Sequence, residues 1–135
     1  MIAGIGLDIV ELSRIAGMEQ RRMDKFALRV LTPEELHEWE HIEHLWRKIE
    51  FLAGRFAVKE AVSKAFGTGI GESMSFAEIG VIKDQNGKPN VTLTGRAQST
   101  STRLGISHIW ISISHSGQFA VAQAIIEKKS IESND

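Results

Sequence analysis

Cysteine is absent from this chain, which excludes a disulfide framework, a thiolate metal site and a cysteine nucleophile. No segment comes near the roughly 18 to 20 uninterrupted apolar residues that a membrane span needs. The opening residues Met1 to Asp8 have no basic stretch ahead of their apolar run and meet an acid too early for a secretory leader. These absences together predict a cytosolic protein. Neither sign of charge dominates, with 16 Lys and Arg against 17 Asp and Glu and a formal net charge of -1. That balance argues against a general nucleic-acid binder, so any basic partner surface has to be local. Internal repeats and low-complexity linkers are lacking too. What is present is a chain of 135 residues, 42% hydrophobic and 24% charged, an ordinary composition for one compact domain with a real core.

The pattern along the chain predicts a single α+β domain with an antiparallel sheet and a long central helix. Ile2 to Val10 reads as a buried strand, with Gly4 and Gly6 leaving room for a close neighbour. From Glu11 the period turns helical, with Ser13 a candidate cap, and continues past Ile15, Met18 and Phe26 toward Leu31. Thr32-Pro33-Glu34-Glu35 has the residues of a capped helix start, and that helix is expected to reach about His44. A longer helix spans Trp46 to Phe66, with Ile49, Leu52, Phe56 and Val58 inward. Strands follow at Phe76 to Ile82 and Val91 to Leu93 around Asn86-Gly87. Thr94 is placed to cap a helix ending at Leu104-Gly105. A final hairpin joins Ile106 to Ile113 and Phe119 to Ile126 through a turn at Ser114-His115-Ser116-Gly117. The domain is expected to cover 1–126 and a polar tail 127–135.

The chemistry-bearing residues interrupt these apolar elements. Glu60 and Lys64 lie four apart and share a helix face, held by a stripe of Val58, Ala61, Val62, Ala65 and Phe66. Gly67-Thr68-Gly69-Ile70-Gly71 follows at once. Asp8 ends the first strand and His115 sits in the last turn. Each has an ordinary alternative: a solvated ion pair, a helix cap at Gly67 or Asp8, turn chemistry at His115. Two carboxylates with no sulfur ligand favour a hard cation, and Mg²⁺ characteristically takes one or two carboxylates with substrate phosphates and waters. A lysine one helical turn away would face a phosphate as a point charge. Arg14, Met18, Arg21 and Lys25 fall at spacings of four, three and four, which predicts a basic helix face with an apolar contact for an acidic helical partner. Arg22 and Arg29 add charge there.

Three stretches carry a family resemblance: Gly4-Ile5-Gly6-Leu7-Asp8-Ile9-Val10-Glu11, the run from Phe51 to Ala65 containing Arg55-Phe56-Ala57-Val58-Lys59-Glu60-Ala61-Val62-Ser63-Lys64, and Ile113-Ser114-His115-Ser116. In this order and spacing the chain resembles the holo-acyl-carrier-protein synthases, the short homotrimeric 4′-phosphopantetheinyl transferases, from Met1 to about Ile126. The resemblance implies transfer of 4′-phosphopantetheine from coenzyme A to a serine of apo-acyl carrier protein in fatty acid biosynthesis. It implies Mg²⁺ held by Asp8 and Glu60, and catalytic roles for Glu60, Lys64 and His115. Lys64 would contact coenzyme A phosphate, with Arg47, Phe51, Gly67 and His115 also at the cofactor. Arg14, Met18, Arg21, Lys25 and Arg55 would meet the carrier protein. Glu60 is the candidate for accepting the serine proton and His115 its rival. Ser116 stands where the family often has Thr or Asp, which leaves its role open. A Mg²⁺-dependent nucleotide diphosphate hydrolase and a non-catalytic trimeric binding module are the competing functions.

Overall fold

The structure, a computed structural model, describes residues 1–130. Its centre is an antiparallel sheet of three strands in the order β1-β5-β4, with β1 at Ile2–Glu11, β4 at Ile106–His115 and β5 at Phe119–Lys128. A 21-residue helix, α4 (Leu45–Ala65), lies across one face of that sheet. Small side chains make the close fit possible. Ala53, Ala57, Ala61 and Ala65 recur at four-residue spacing along α4 and are buried, as are Ala120, Ala122 and Ala124 of β5. Gly4 and Gly6 of β1 meet the helix backbone itself: a Cβ at Gly6 would fall inside the carbonyl oxygen of Ala61 and within 2.8 Å of the Ala65 nitrogen. The expected long helix and antiparallel pairing are therefore both present.

Between β1 and α4 run three shorter helices, α1 (Leu12–Ala16), α2 (Gln20–Val30) and α3 (Pro33–Glu40). The expected continuous helix from Glu11 to Leu31 is broken. At the end of α1 Gly17 N donates to the Ser13 carbonyl and Met18 N to the Ile15 carbonyl, and Glu19 starts α2 from an extended conformation. Ser13 lies inside α1 and caps nothing. The break puts Arg14 on a different helix from Arg21 and Lys25, so the four-three-four spacing does not describe one helix face. The Thr32 start is a complete capping box, with Thr32 Oγ1 accepting from Glu35 N at 3.2 Å and Glu35 Oε1 from Thr32 N at 2.8 Å. α3 stops at Glu40, four residues short of His44.

A second antiparallel sheet pairs β2 (Ile79–Lys83) with β3 (Pro89–Leu93), and α5 (Gly95–Arg103) connects it to β4. The Asn86-Gly87 turn is as expected: Asp84 Oδ1 accepts from Asn86 N and Lys88 N, and Gly87 takes φ of 81°. Phe76 to Glu78 is a short 3₁₀ turn and not strand: Glu78 Oε1 accepts from Ser75 N at 2.9 Å and Ser75 Oγ at 3.0 Å, and Glu78 N donates to the Ser75 carbonyl. Thr94 stands at the α5 start without a side-chain cap; Glu78 Oε2 accepts from Arg96 N instead, at 2.6 Å. At the chain end β5 continues past Ile126 to Lys128 and pairs Glu127 with Ile2. The remainder of the expected tail, 131–135, lies outside the described residues.

Candidate active site

Asp8, Glu60 and Lys64 come together where β1 crosses α4. Asp8 stands on the helix-facing side of β1 because Gly4 and Gly6, four and two residues earlier, pack against Ala65 and Ala61. Lys64 donates to Asp8 Oδ1 at 2.9 Å and to the Leu7 carbonyl at 3.2 Å. The Asp8 side chain is 16% exposed and that of Lys64 49%. The pair that forms is therefore Lys64 with Asp8, 56 residues away, and not the local Glu60–Lys64 pair that spacing alone suggests.

Glu60 is half-buried, and its carboxyl pKa is raised. Burial is the largest cause and the negative charge of Asp8 the next, while Lys64 and Arg29 pull the other way. Two hard oxygen donors close enough to repel are a donor set suited to a divalent cation. No cluster of three or more His, Cys, Asp or Glu that could hold a metal exists among the described residues. Asp8 and Glu60 thus fit Mg²⁺ as a two-carboxylate half-site, the kind that substrate phosphates and waters complete.

The raised pKa has a sign that can be measured. The folded chain holds the Glu60 proton more tightly than the unfolded chain, so this group lowers stability as pH rises from the ordinary glutamate range through its folded value. Without divalent metal, urea midpoints followed from about pH 4 to about pH 8 should fall for the parent chain relative to Glu60→Gln. Excess Mg²⁺ should narrow the difference. Parallel curves for the two proteins would mean that folding does not raise the Glu60 pKa.

A second group surrounds a cavity of about 660 Å³. Arg47, Phe51, Gly54 and Arg55 of α4, Lys83 of β2 and His115 of β4 all line it. His115 is the last residue of β4 and not part of the turn. Its Nε2 lies 3.1 Å from the Glu50 carbonyl oxygen, which can only accept, so Nε2 carries the hydrogen. Gly54 makes room for the ring: a Cβ there would stand 3.0 Å from Nε2. Ser116, the residue without an assigned role, holds the turn, its Oγ accepting from Gln118 N at 3.2 Å and Phe119 N at 3.0 Å. Gly67 ends α4 at φ of 78°, exposed at the head of the glycine loop.

The two groups are separate within one chain. His115 abuts Gly54, and Glu60 lies six residues further along α4, about 9 Å of helix rise. Arg14, Arg21 and Lys25 are exposed and Met18 is half-buried. Arg55 differs from them. It is 4% exposed, stacks on Phe51 with Cζ 4.4 Å from the ring centroid, and approaches Glu35. Its place is the cavity wall, not the outer surface.

Sequence reasoning passed over Gly54, Glu35, Lys59 and the link from Arg29 to Glu60. Gly54 left a readable signal, since glycine inside a 21-residue helix costs roughly 1 kcal/mol against alanine and implies a close neighbour. The other three left none, because their partners are distant in sequence.

Residues 4–124 match the model of the 4′-phosphopantetheinyl transferase superfamily. The holo-acyl-carrier-protein synthase of Bacillus subtilis is 50% identical over 130 residues, covering 96% of this chain and 99% of its own. Among solved structures, the Neisseria meningitidis holo-acyl-carrier-protein synthase superposes with a TM-score of 0.86 at 40% identity, over 95% of this chain and all of its own. The Bacillus anthracis enzyme, in complex with CoA (3′,5′-ADP), gives a TM-score of 0.79 at 43% identity over 96% and 99%. With its three motifs, its fold and nearly its whole length matched in this way, the chain belongs to the 4′-phosphopantetheinyl transferase superfamily and groups there with the holo-acyl-carrier-protein synthases.

Proposed function

We propose that the chain transfers 4′-phosphopantetheine from coenzyme A to a serine hydroxyl of apo-acyl carrier protein, releasing adenosine 3′,5′-bisphosphate, in fatty acid biosynthesis. The observation that carries this reading is the meeting of Asp8, Glu60 and Lys64 at the β1–α4 crossing in a chain of this superfamily. Asp8 and Glu60 would hold Mg²⁺, which when bound supplies positive charge against the diphosphate. Lys64, half exposed and held over Asp8, adds a point charge for the leaving phosphate. Glu60 takes the serine proton, since burial and the charge of Asp8 raise its pKa and with it its basicity. Arg47, Phe51, Gly67 and His115 receive coenzyme A.

The active form is a homotrimer with sites between subunits. Two observations support this. The sheet face away from α4 is open and apolar, with Ile5, Leu7, Ile9 and Trp110 all exposed, and β-sheet register continues it through Ile125. A site built between copies would also close the gap between the His115 cavity and the Asp8 cluster. Arg14, Arg21 and Lys25, with Met18 between them, receive the acidic carrier, and Arg55 belongs to the cofactor wall. No helix among the described residues is long and apolar enough to cross a membrane, and the reading carries a cytosolic location with it.

Mass spectrometry of apo-acyl carrier protein incubated with the chain, coenzyme A and Mg²⁺ tests the proposal. The carrier should gain the mass of the phosphopantetheine arm. Coenzyme A bound without transfer would indicate a binding module, and its cleavage without carrier a hydrolase. In the same assay Arg14→Glu should raise the carrier KM roughly tenfold at low salt and less at high salt, because steering between exposed charges is screened. A wild-type carrier KM indifferent to salt would remove the steering argument.

A further inference from the structure

The cavity wall hides a charge arrangement that none of the motifs announces. Glu35 is 3% exposed. Its Oε1 accepts from Thr32 N at 2.8 Å and from the Lys59 ammonium at 2.6 Å, and its Oε2 accepts from Val81 N at 2.8 Å. Lys59 is fully buried and donates its other hydrogens to the Val30 carbonyl at 2.6 Å and the Phe76 carbonyl at 3.1 Å. Three acceptors around one Nζ require three hydrogens, so Lys59 is an ammonium even though burial, the largest influence, lowers its pKa.

Two cations therefore share one carboxylate. Lys59 has the short contact and a full set of acceptors. Arg55 has the long one: its Nε lies 3.9 Å from Glu35 Oε2 and is buried without a hydrogen-bond partner. Its guanidinium is left between Glu35 on one side and the Phe51 ring on the other, which together fix its plane. The cavity is lined by Glu38 of α3, Lys83 of β2 and the Arg47 to Arg55 segment of α4. Glu35 bonds to those same three elements, through Thr32 at the α3 start, Val81 in β2 and Lys59 in α4.

We propose that Glu35, with Lys59 as its fixed partner, is a positioning residue for coenzyme A binding: it holds Arg55 against Phe51 and registers the three walls of the cavity to one buried charge. The proposal rests on the assignment of this cavity to coenzyme A made above. Glu35 itself touches no substrate. Its effect passes through Arg55, and that is what separates it from a residue that merely stabilises the fold.

The test is a kinetic double-mutant cycle with Glu35→Gln and Arg55→Lys, both singles and the double, each checked for folding by circular dichroism and thermal melting. Glu35→Gln should raise the coenzyme A KM about tenfold, with kcat and the carrier KM changed less than about twofold. Arg55→Lys keeps the charge but loses the planar stack, and should raise the coenzyme A KM similarly. The double variant should be no worse than Arg55→Lys alone, because the effect of Glu35 needs the guanidinium. Additive effects, or a fall in kcat with the coenzyme A KM unchanged, would overturn the proposal. If Glu35→Gln fails to fold, Glu35→Asp, which keeps the charge beside Lys59, takes its place in the same cycle under the same criteria. Unchanged coenzyme A KM in both Arg47→Ala and Arg55→Lys would overturn the cavity assignment itself, and the positioning role with it. A raised KM in both, with Glu35 variants additive, would overturn the positioning role alone.

Discussion

Asp8→Asn will lower kcat/KM for phosphopantetheine transfer by about 10²- to 10³-fold, on a chain that remains folded. The substitution is nearly isosteric, and its Oδ1 can still accept from Lys64, so the 2.9 Å contact across the β1–α4 crossing has no reason to open. What disappears is a negative charge at the point where the reaction needs a cation. Glu60→Gln should cost a similar factor for the same reason. The double variant should fall little below the worse single, because the two proposed ligands of one ion would act as a unit. Stability should move in the opposite direction. Asp8 is the second largest cause of the raised Glu60 pKa, so its neutralisation relieves a repulsion, and metal-free Asp8→Asn should melt no lower than the parent. Steady-state kinetics with Mg²⁺ titrated into each variant, alongside thermal melting, decides the matter. Turnover retained in both single variants would end the metal assignment, and a lowered melting point in Asp8→Asn would show that the ion pair with Lys64 outweighs the repulsion from Glu60.

Gly6→Ala should destabilise the chain by about 3 kcal/mol and lower its melting temperature by about 10 °C. The added methyl would meet backbone on the helix side, the Ala61 carbonyl and the Ala65 nitrogen. A flexible side chain could swing away; a helix carbonyl cannot move without taking α4 off the sheet. The same displacement would separate Asp8, two residues on, from Lys64 and Glu60, so turnover should fall further than the stability loss explains. Gly71→Ala is the control, since nothing lies within 4 Å of a Cβ placed there and its φ is not positive. Melting curves at one fixed protein concentration allow for assembly. Equal melting points for Gly6→Ala and Gly71→Ala would mean that the helix and sheet are not in the contact described.

How much of this was readable in the residues depends on the reach of each interaction. The Thr32-Pro33-Glu35 cap closes within three residues and formed as expected. The Asn86-Gly87 turn did so for the same reason. The long helix was legible because its apolar spacing repeats over many turns. The break at Gly17–Glu19 was missed, since Ile15, Met18 and Phe26 keep a helical period across it while the backbone does not. Lys59 shows the limit most directly. It stands beside Glu60 in a run of helix-forming residues, and nothing local says that Glu60 is half-buried and Lys59 fully buried.

The α+β character, the helix that carries Glu60 and Lys64, the identity of the two carboxylates and the lysine, and the family to which they belong are all legible in the residues alone. These follow from patterns of a few residues, where backbone geometry fixes which side chains share a face. It takes the folded chain to pair Lys64 with Asp8 and not with Glu60, to bring His115 and Arg55 to a separate cavity, and to let Glu35 serve both its own helix cap and a strand 46 residues away. Those choices were made by how closely a glycine strand and an alanine-striped helix could approach, and by how many donors one buried carboxylate could satisfy. Both are properties of packing in three dimensions, which no spacing along the chain records.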